Sequence, residues 1–360
     1  MAEKLRVGVL GATGMVGQKL LELLENHPYF KVTLVAASSK NCGKKLREAI
    51  QFPFFQDDEE ENQEVFNMTL YDVNDVDTIS SKVDVVFCAL NMKKDLLVEL
   101  EENYAKHEIP VISNNSANRW TEDVPMIIPE INTSHLELIE KQKKRLNTKR
   151  GFIVAKPNCS IQSYLPALYA WKEFMPYEVL VTTFQAISGA GKTFIQWPEM
   201  ISNVIPYIEG EEEKSEREPL RILGNIEDEK VHLKEDLKIS AQCIRASVKI
   251  GHTASCAVRF RKKVTLDELI YALENVKTDI DKYDLPSKPK TFIQYLKEDN
   301  RPEVQKDVLF ENGMGISIGR LREDNLFDYK FVGLSNNVTR GAAGGALLLA
   351  ELLYKEGYLN

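Results

Sequence analysis

A glycine-punctuated turn near the start of the chain, LRVGVLGATGMVG, restricts the possible folds more than any other feature. Residues 5–10 read as a buried strand, residues 16–26 repeat apolar positions at helical spacing, and GATGMVG joins the two. In that context Gly11 permits a tight turn, Gly14 lets backbone approach a pyrophosphate, and Gly17 lets helix pack on strand. Thr13, Met15 and Val16 complete a turn that opens a helix N-terminus, where phosphate charge is stabilised. The pattern predicts a dinucleotide site.

The alternation continues. Strands are expected at residues 33–37, 83–89, 111–113 and 152–155, with helices over 93–107 and 134–146, the latter capped by Asn132 or Thr133. Short apolar strands between helices indicate a parallel sheet, here an N-terminal Rossmann domain. From about residue 178, EVLVTTFQAI, LKISAQCIRASV, TASCAVRF and MGISIGRL are longer, β-branched and alternating. They predict an α+β domain with a mixed, largely antiparallel sheet, interrupted by a helix over 266–276 and an irregular stretch at 284–290. The final GAAGGALLLAELLYKEGY reads as an apolar helix whose small residues allow close approach to the first domain. At 360 residues, too many for one typical core, the expected division is 1–156, 157–335 and a returning helix at 336–360.

A net charge of −8 argues against a nucleic-acid partner. No run of 18 apolar residues suggests a membrane span, and the opening MAEKLRVGVLGATG leaves no room for a signal peptide. Five scattered cysteines fit a reducing compartment, so the cytoplasm is the expectation. The acidic runs at 57–64 and 209–218 read as solvated loops without chemistry. After the second strand, VAASSKNCGKK offers Ser38, Ser39, Lys40 and Lys44 with no acid nearby in the sequence. Hydroxyl and ammonium groups suit a 2′-phosphate, so NADP is favoured over NAD. No metal is expected.

Cys159 carries the chemistry. In KPNCSIQ an apolar strand gives way through Pro157 and Asn158 to a helical pattern over 161–174. A thiol at a helix N-terminus is expected to favour thiolate. His252 in IGHTAS is a candidate base, and Arg245, seven residues earlier, a candidate carboxylate anchor. Cys88, Cys243 and Cys256 read as small buried hydrophobes, Cys42 as incidental, and His27, His107, His135 and His232 as loop or surface residues. A nucleophilic thiol, a histidine, an arginine and a hydride carrier together suggest redox chemistry through a thioester.

These residues resemble the aspartate-semialdehyde dehydrogenase family, in its longer archaeal and fungal branch, over essentially the whole chain. The resemblance is carried in order by GATGMVG, ASSKNCGKK, SNNSANRW, VPMIIPEIN, KPNCS, FQAISGAG, the stretch 245–252, GRL and NNVTRGAAGG. It implies a Cys159 nucleophile, a His252 acid/base and a Gln185 that orients the acyl intermediate. It further implies Arg245 on the substrate carboxylate, Arg119 at a phosphate site with Asn115 as polar neighbour, and Ser188, Gly189 and Asn337 around the nicotinamide. An acid and a lysine for the substrate amine and phosphate match Asp228 and Lys230, with Glu229 or Lys234 as alternative occupants because the spacing is one residue long. Lys40 stands where the family commonly has arginine. The implied activity is reduction of L-aspartyl-4-phosphate to L-aspartate 4-semialdehyde with NADPH, in lysine, threonine, methionine and isoleucine biosynthesis, by a homodimer or homotetramer. Two alternatives are a malonyl- or succinyl-CoA reductase of the same branch, whose substrates lack an ammonium, and a nucleotide-binding regulator without catalysis. The joint presence of Cys159, Gln185, Arg245 and His252 disfavours the regulator.

Overall fold

The computed structural model describes residues 3–53 and 63–359, so residues 57–62 of the first acidic run lie outside the described residues. The chain opens with strand β1 (Leu5–Leu10), helix α1 (Met15–Leu24) and strand β2 (Phe30–Ala37). There follow β3 (Tyr71–Asp72), β4 (Val85–Cys88), helix α2 (Lys94–Lys106), β5 (Val111–Ser113), helix α3 (Leu138–Leu146) and β6 (Ile153–Ala155). These strands pair in parallel in the order β3-β2-β1-β4-β5-β6. Strand order reverses between β1 and β4, the crevice where open α/β sheets bind nucleotides.

Both faces of this sheet are covered, which is why its strands read as continuous apolar runs. Val7, Val9 and Phe87 pack with Leu20 and Leu24 of α1, while Val86 and Val111 pack with Leu97 and Tyr104 of α2. The helix expected over 134–146 begins as a 3-10 turn (Thr133–Glu137). Its expected cap does not form: Asn132 instead accepts from the Ile128 N–H and donates to the Met126 carbonyl, pinning the preceding loop.

After Cys159 the expected continuous helix is broken. A 3-10 turn (Ser160–Ser163) leads to a short helix α4 (Leu165–Ala170) and another 3-10 turn (Lys172–Phe174). The second domain then supplies β7 (Pro176–Gln185), β8 (Val204–Ile205), helix α5 (Glu211–Ile222) and the hairpin β9 (Asn225–Glu227)–β10 (Lys230–His232). It continues with β11 (Lys238–Ala246), β12 (His252–Phe260), helix α6 (Leu266–Glu274), β13 (Ile293–Leu296), β14 (Ile316–Glu323) and β15 (Tyr329–Ser335). Seven strands form a mixed sheet in the order β13-β14-β15-β12-β7-β11-β8. Its inner face buries Val179, Val181, Ala254, Val258 and Phe331 against Leu165, Trp171 and Leu269. The chain closes with a π-helical turn (Thr339–Ala343) and helix α7 (Gly344–Lys355), whose Leu347, Leu348 and Leu352 share a core with β1 and α1. Among the described residues no helix is long and apolar enough to cross a membrane.

The glycine turn follows from local sterics. Gly11 has φ +90°, and a Cβ there would lie 2.4 Å from the Ala89 carbonyl oxygen. At Gly17 a Cβ would lie 2.2 Å from the Gly11 oxygen, so only glycine lets α1 approach β1 this closely. Gly14 differs: its Cβ would meet nothing nearer than 3.5 Å, so protein packing does not require glycine there. Gly17→Ala is therefore expected to cost about 1–3 kcal/mol of stability. Gly14→Ala should keep the melting temperature and weaken NADPH binding in a fluorescence titration.

Candidate active site

Three ends of the second sheet converge on the loop after β6. Arg245 near the end of β11 is in register with Gln185 at the end of β7, and His252 begins β12 beside them. Opposite stands Cys159, whose Sγ lies 3.3 Å from Nε2 of the fully buried His252. The Ala186 N–H donates to His252 Nδ1 at 3.0 Å. A neutral ring that accepts at Nδ1 carries its proton on Nε2, so it presents N–H to the sulfur. Burial, and then the charge of Arg245, push His252 down to about 3.

The expectation of a ready thiolate is overturned. Burial pushes the Cys159 thiol up to about 11, the carboxylate of Glu211 adds to this, and Lys156, Arg119 and Arg245 act in the opposite direction. The element after Cys159 is only a four-residue 3-10 turn, too short to supply the dipole of a long helix. At neutral pH the pair is thiol and neutral imidazole.

Helix α5 locks the loop. Glu211 accepts from Asn158 Nδ2 at 3.1 and 3.0 Å, from Gln185 Nε2 at 3.2 Å and from Lys214 Nζ at 2.8 Å. Burial opposes its charge, but Lys214 and the Asn158 and Gln185 amides hold its carboxyl below the usual range. Glu218, seven residues on and on the same buried face, accepts from the Asn158 N–H at 2.6 Å and from Arg119 Nη1 at 2.9 Å. Arg119 also donates to the Lys156 carbonyl at 2.9 Å, and Trp120 stacks under Arg217 of α5.

A cleft of about 350 Å³ runs between the domains. Met15, Val16, Asn115 and Arg119 line one side; Cys159, Ser188, Gly189, Glu211, Lys214 and Asn337 line the other. Asn337 donates to Ser188 Oγ at 2.9 Å and accepts from the Gly251 N–H at 2.8 Å. A Cβ at Gly189 would lie 2.8 Å from Arg245 Nη1 and 3.1 Å from the His252 ring, so glycine keeps these two side chains in reach of the cleft. Arg245 is buried, donates to the Ala186 carbonyl at 2.7 Å and forms no salt bridge among the described residues. A buried guanidinium with no carboxylate bonded to it suits an incoming one.

Several sequence expectations need correction. Asp228 and Glu229 occupy the left-handed tip of the β9–β10 hairpin, with φ of 51° and 55°, outside the cleft lining. Lys230 is exposed and paired with Glu122 at 3.7 Å, and Lys234 pairs with Asp236 at 3.0 Å. Glu211 and Lys214, within the run dismissed as a solvated loop, line the cleft instead. That run is helix α5, and Glu211, Ser215, Glu218 and Ile222 fall at the i, i+4, i+7, i+11 spacing of one buried face. Asn115 spends its amide on buried Glu101 (3.1 Å) and the Cys88 carbonyl (3.2 Å), whereas neighbouring Asn114 lines the cleft with its side-chain amide unpartnered among the described residues. Asn114 and Asn158 carried no sequence signal beyond their motifs. His27 and His135 are buried, bonded to Glu351 and to the Gly224 carbonyl.

The nucleotide end fits the expected ligand. Ser38, Ser39, Lys40 and Lys44 are exposed at the end of β2. An acid does lie nearby in space: Asp72 of β3 accepts from Ser39 and Asn74, which hold its carboxyl low although burial opposes. Its bonds with Ser39 and Asn74 brace the loop and leave both lysines outward.

Two family models match: the NAD-binding domain of semialdehyde dehydrogenases over residues 6–139 and their dimerisation domain over 166–340. The aspartate-semialdehyde dehydrogenase of Archaeoglobus fulgidus is 40% identical over 97% of this chain and 98% of its own. That of Saccharomyces cerevisiae is 35% identical over 98% of each. A crystal structure of the Candida albicans enzyme with NADP superposes with a TM-score of 0.85 at 31% identity, covering 99% of this chain and 100% of that one.

Glu211→Gln removes a charge that disfavours thiolate. The pH midpoint of Cys159 alkylation by iodoacetamide should therefore fall below that of the wild type, because Glu211 adds to the raised thiol. An unchanged midpoint would uncouple the two side chains.

Proposed function

The chain belongs to the aspartate-semialdehyde dehydrogenase family, and we propose that Cys159 is the atom acylated in its reaction, served by His252, Arg119, Lys214, Glu211 and Arg245. The activity is NADPH-dependent reductive dephosphorylation of L-aspartyl-4-phosphate to L-aspartate 4-semialdehyde, on the route to lysine, threonine, methionine and isoleucine. The single observation that carries the assignment of residues is the 3.3 Å approach of Cys159 Sγ to His252 Nε2 in an interdomain cleft.

NADP is the cofactor. Gly11, Thr13, Gly14, Met15, Val16 and Gly17 form its pyrophosphate turn, and Gly14 leaves open the space that backbone contact needs. Ser38, Ser39, Lys40 and Lys44 take the 2′-phosphate, and Ser188, Gly189, Asn337 and Asn114 surround the nicotinamide end. When bound, NADPH supplies the hydride that reduces the acyl carbon.

The residues of the cleft do the rest. The substrate carries a phosphate, an α-carboxylate and an ammonium. Arg119 and Lys214 receive the phosphate, Arg245 the carboxylate, and the ionised Glu211 the ammonium. Arg245 is the second cause of the low pKa of His252, and Glu211 the second cause of the high pKa of Cys159. Pairing Arg245 with the carboxylate raises the imidazole, and pairing Glu211 with the ammonium lowers the thiol. The substrate thus readies its own nucleophile. Sulfur attacks the acyl carbon, its proton leaves with the departing phosphate as the C–O bond breaks, and a thioester results. His252 Nε2–H then serves the carbonyl oxygen as it gains charge. Collapse of the hemithioacetal returns the electron pair to sulfur and frees the aldehyde. The ammonium partner favours this acyl donor over a CoA ester.

Residues 1–156 and 157–335 are the NADP-binding and catalytic domains, and 336–360 is a returning segment packed on the first. The protein forms homo-oligomers. The outer face of the second sheet is the proposed dimer surface. Leu180 and Phe184 of β7, 47% and 38% exposed, share it with Ser240, Gln242 and Ser255 in register. The reaction has no nucleic-acid or membrane partner, and the cytoplasm is the compartment that suits it.

Cys159→Ala should abolish phosphate-dependent NADP reduction by aspartate semialdehyde, and normal turnover would remove Cys159 from the site. Lys214→Met should raise the KM for phosphate at least tenfold, whereas Lys230→Met should leave it unchanged. Leu180→Asp with Phe184→Asp should shift sedimentation toward the monomer.

A further inference from the structure

The site contains a buried cation that the mechanism above does not use. Lys156 lies three residues before Cys159 and is 3% exposed. Its Nζ donates to the Pro157 carbonyl at 3.1 Å, a neutral acceptor, and no salt bridge to it occurs among the described residues. A buried ammonium with one neutral partner is costly, so its retention points to a role. Its stem lies under α7: a Cβ at Gly345 would sit 2.6 Å from Lys156 Cε, while a Cβ at Gly341 would sit 2.7 Å from Cys159 Cβ. Gly341 in the π-helical turn and Gly345 at the start of α7 thus press on the cysteine and on the lysine stem respectively. Exchange of either glycine would push that side chain out of place.

Resting on the assignment of Cys159 as nucleophile, we infer that Lys156 is a positioning residue whose buried charge, held in place by the start of the C-terminal helix, keeps the Cys159 thiolate attainable. The other charges facing the thiol come from every neighbouring element. Arg119 approaches from the loop after β5, Arg245 from β11 and His252 from β12. Glu211, with Lys214 attached, stands over Asn158 from α5, and Glu218 holds the Asn158 N–H. Arg340 of the π-helical turn is already satisfied by Glu130. A charged Lys156 favours the Cys159 thiolate, and burial, which opposes the lysine's charge, brings Lys156 down to about 7. Below that pH the cation faces the thiol.

The test uses full-length protein without substrate. Iodoacetamide alkylation of Cys159 is followed by mass spectrometry across pH in wild type, Lys156→Met and Lys156→Arg. Methionine keeps most of the stem volume and removes the charge. It should lower the alkylation rate about tenfold at a fixed pH near 6, where Lys156 carries its charge. Arginine should restore most of that rate. If Met does not fold, Lys156→Gln replaces it with the same expectation. An unchanged rate at that pH in the neutral variants would overturn the inference and leave the nucleophile role intact. A Cys159 inert in every variant and at every pH would instead overturn the nucleophile assignment itself.

Discussion

The structure depends on one polar hub: the grip of Glu211 and Glu218 on Asn158. Two carboxylates two turns apart on α5 take the side-chain amide and the backbone N–H of Asn158, the residue before Cys159. Both acids are buried, and a buried carboxylate is tolerated only with its lone pairs occupied. Gln185 and Lys214 fill the rest of Glu211, and Arg119 fills the rest of Glu218. The hub therefore joins the end of the first sheet, the loop after β5, the end of β7 and α5. Loss of one partner leaves the others with unpaired charge in a dry setting.

Around the hub, charge and burial hold Cys159 and His252 un-ionised. Burial raises the thiol and lowers the imidazole, and the two touch through N–H and sulfur. A thiol in this state resists oxidation, which attacks thiolates preferentially. It also makes reactivity conditional on a ligand that carries both signs of charge, since Glu211 and Arg245 perturb the two groups in opposite directions. Recognition and activation then use the same side chains.

Much of this was legible in the sequence because it is local. GATGMVG sits between a strand and a helix, and the tight turn and the close helix approach account for Gly11 and Gly17. The alternation of β7, β11, β12 and β15 marks a sheet with one buried face. What misled was also local. The string EGEEEKSERE has the composition of a solvated loop, yet its buried positions obey helical spacing and face Asn158 rather than water. Asp228 and Lys230 have the right chemistry at the wrong place, a hairpin tip where the chain turns through the left-handed region.

By itself the sequence determined the parallel and mixed sheets and the nucleotide turn, and it singled out Cys159 and His252, which the fold brings to 3.3 Å. It could do so because strand periodicity, glycine sterics and motif order act over a few residues. Only the tertiary structure decided which acid and lysine face the sulfur, which nitrogen of His252 carries the proton, and that the thiol rests un-ionised. Those outcomes depend on groups from β6, β7, α5, β11, β12 and the π-helical turn meeting in one water-poor space. Electrostatic effects there follow distance and burial through space, which order along the chain does not encode.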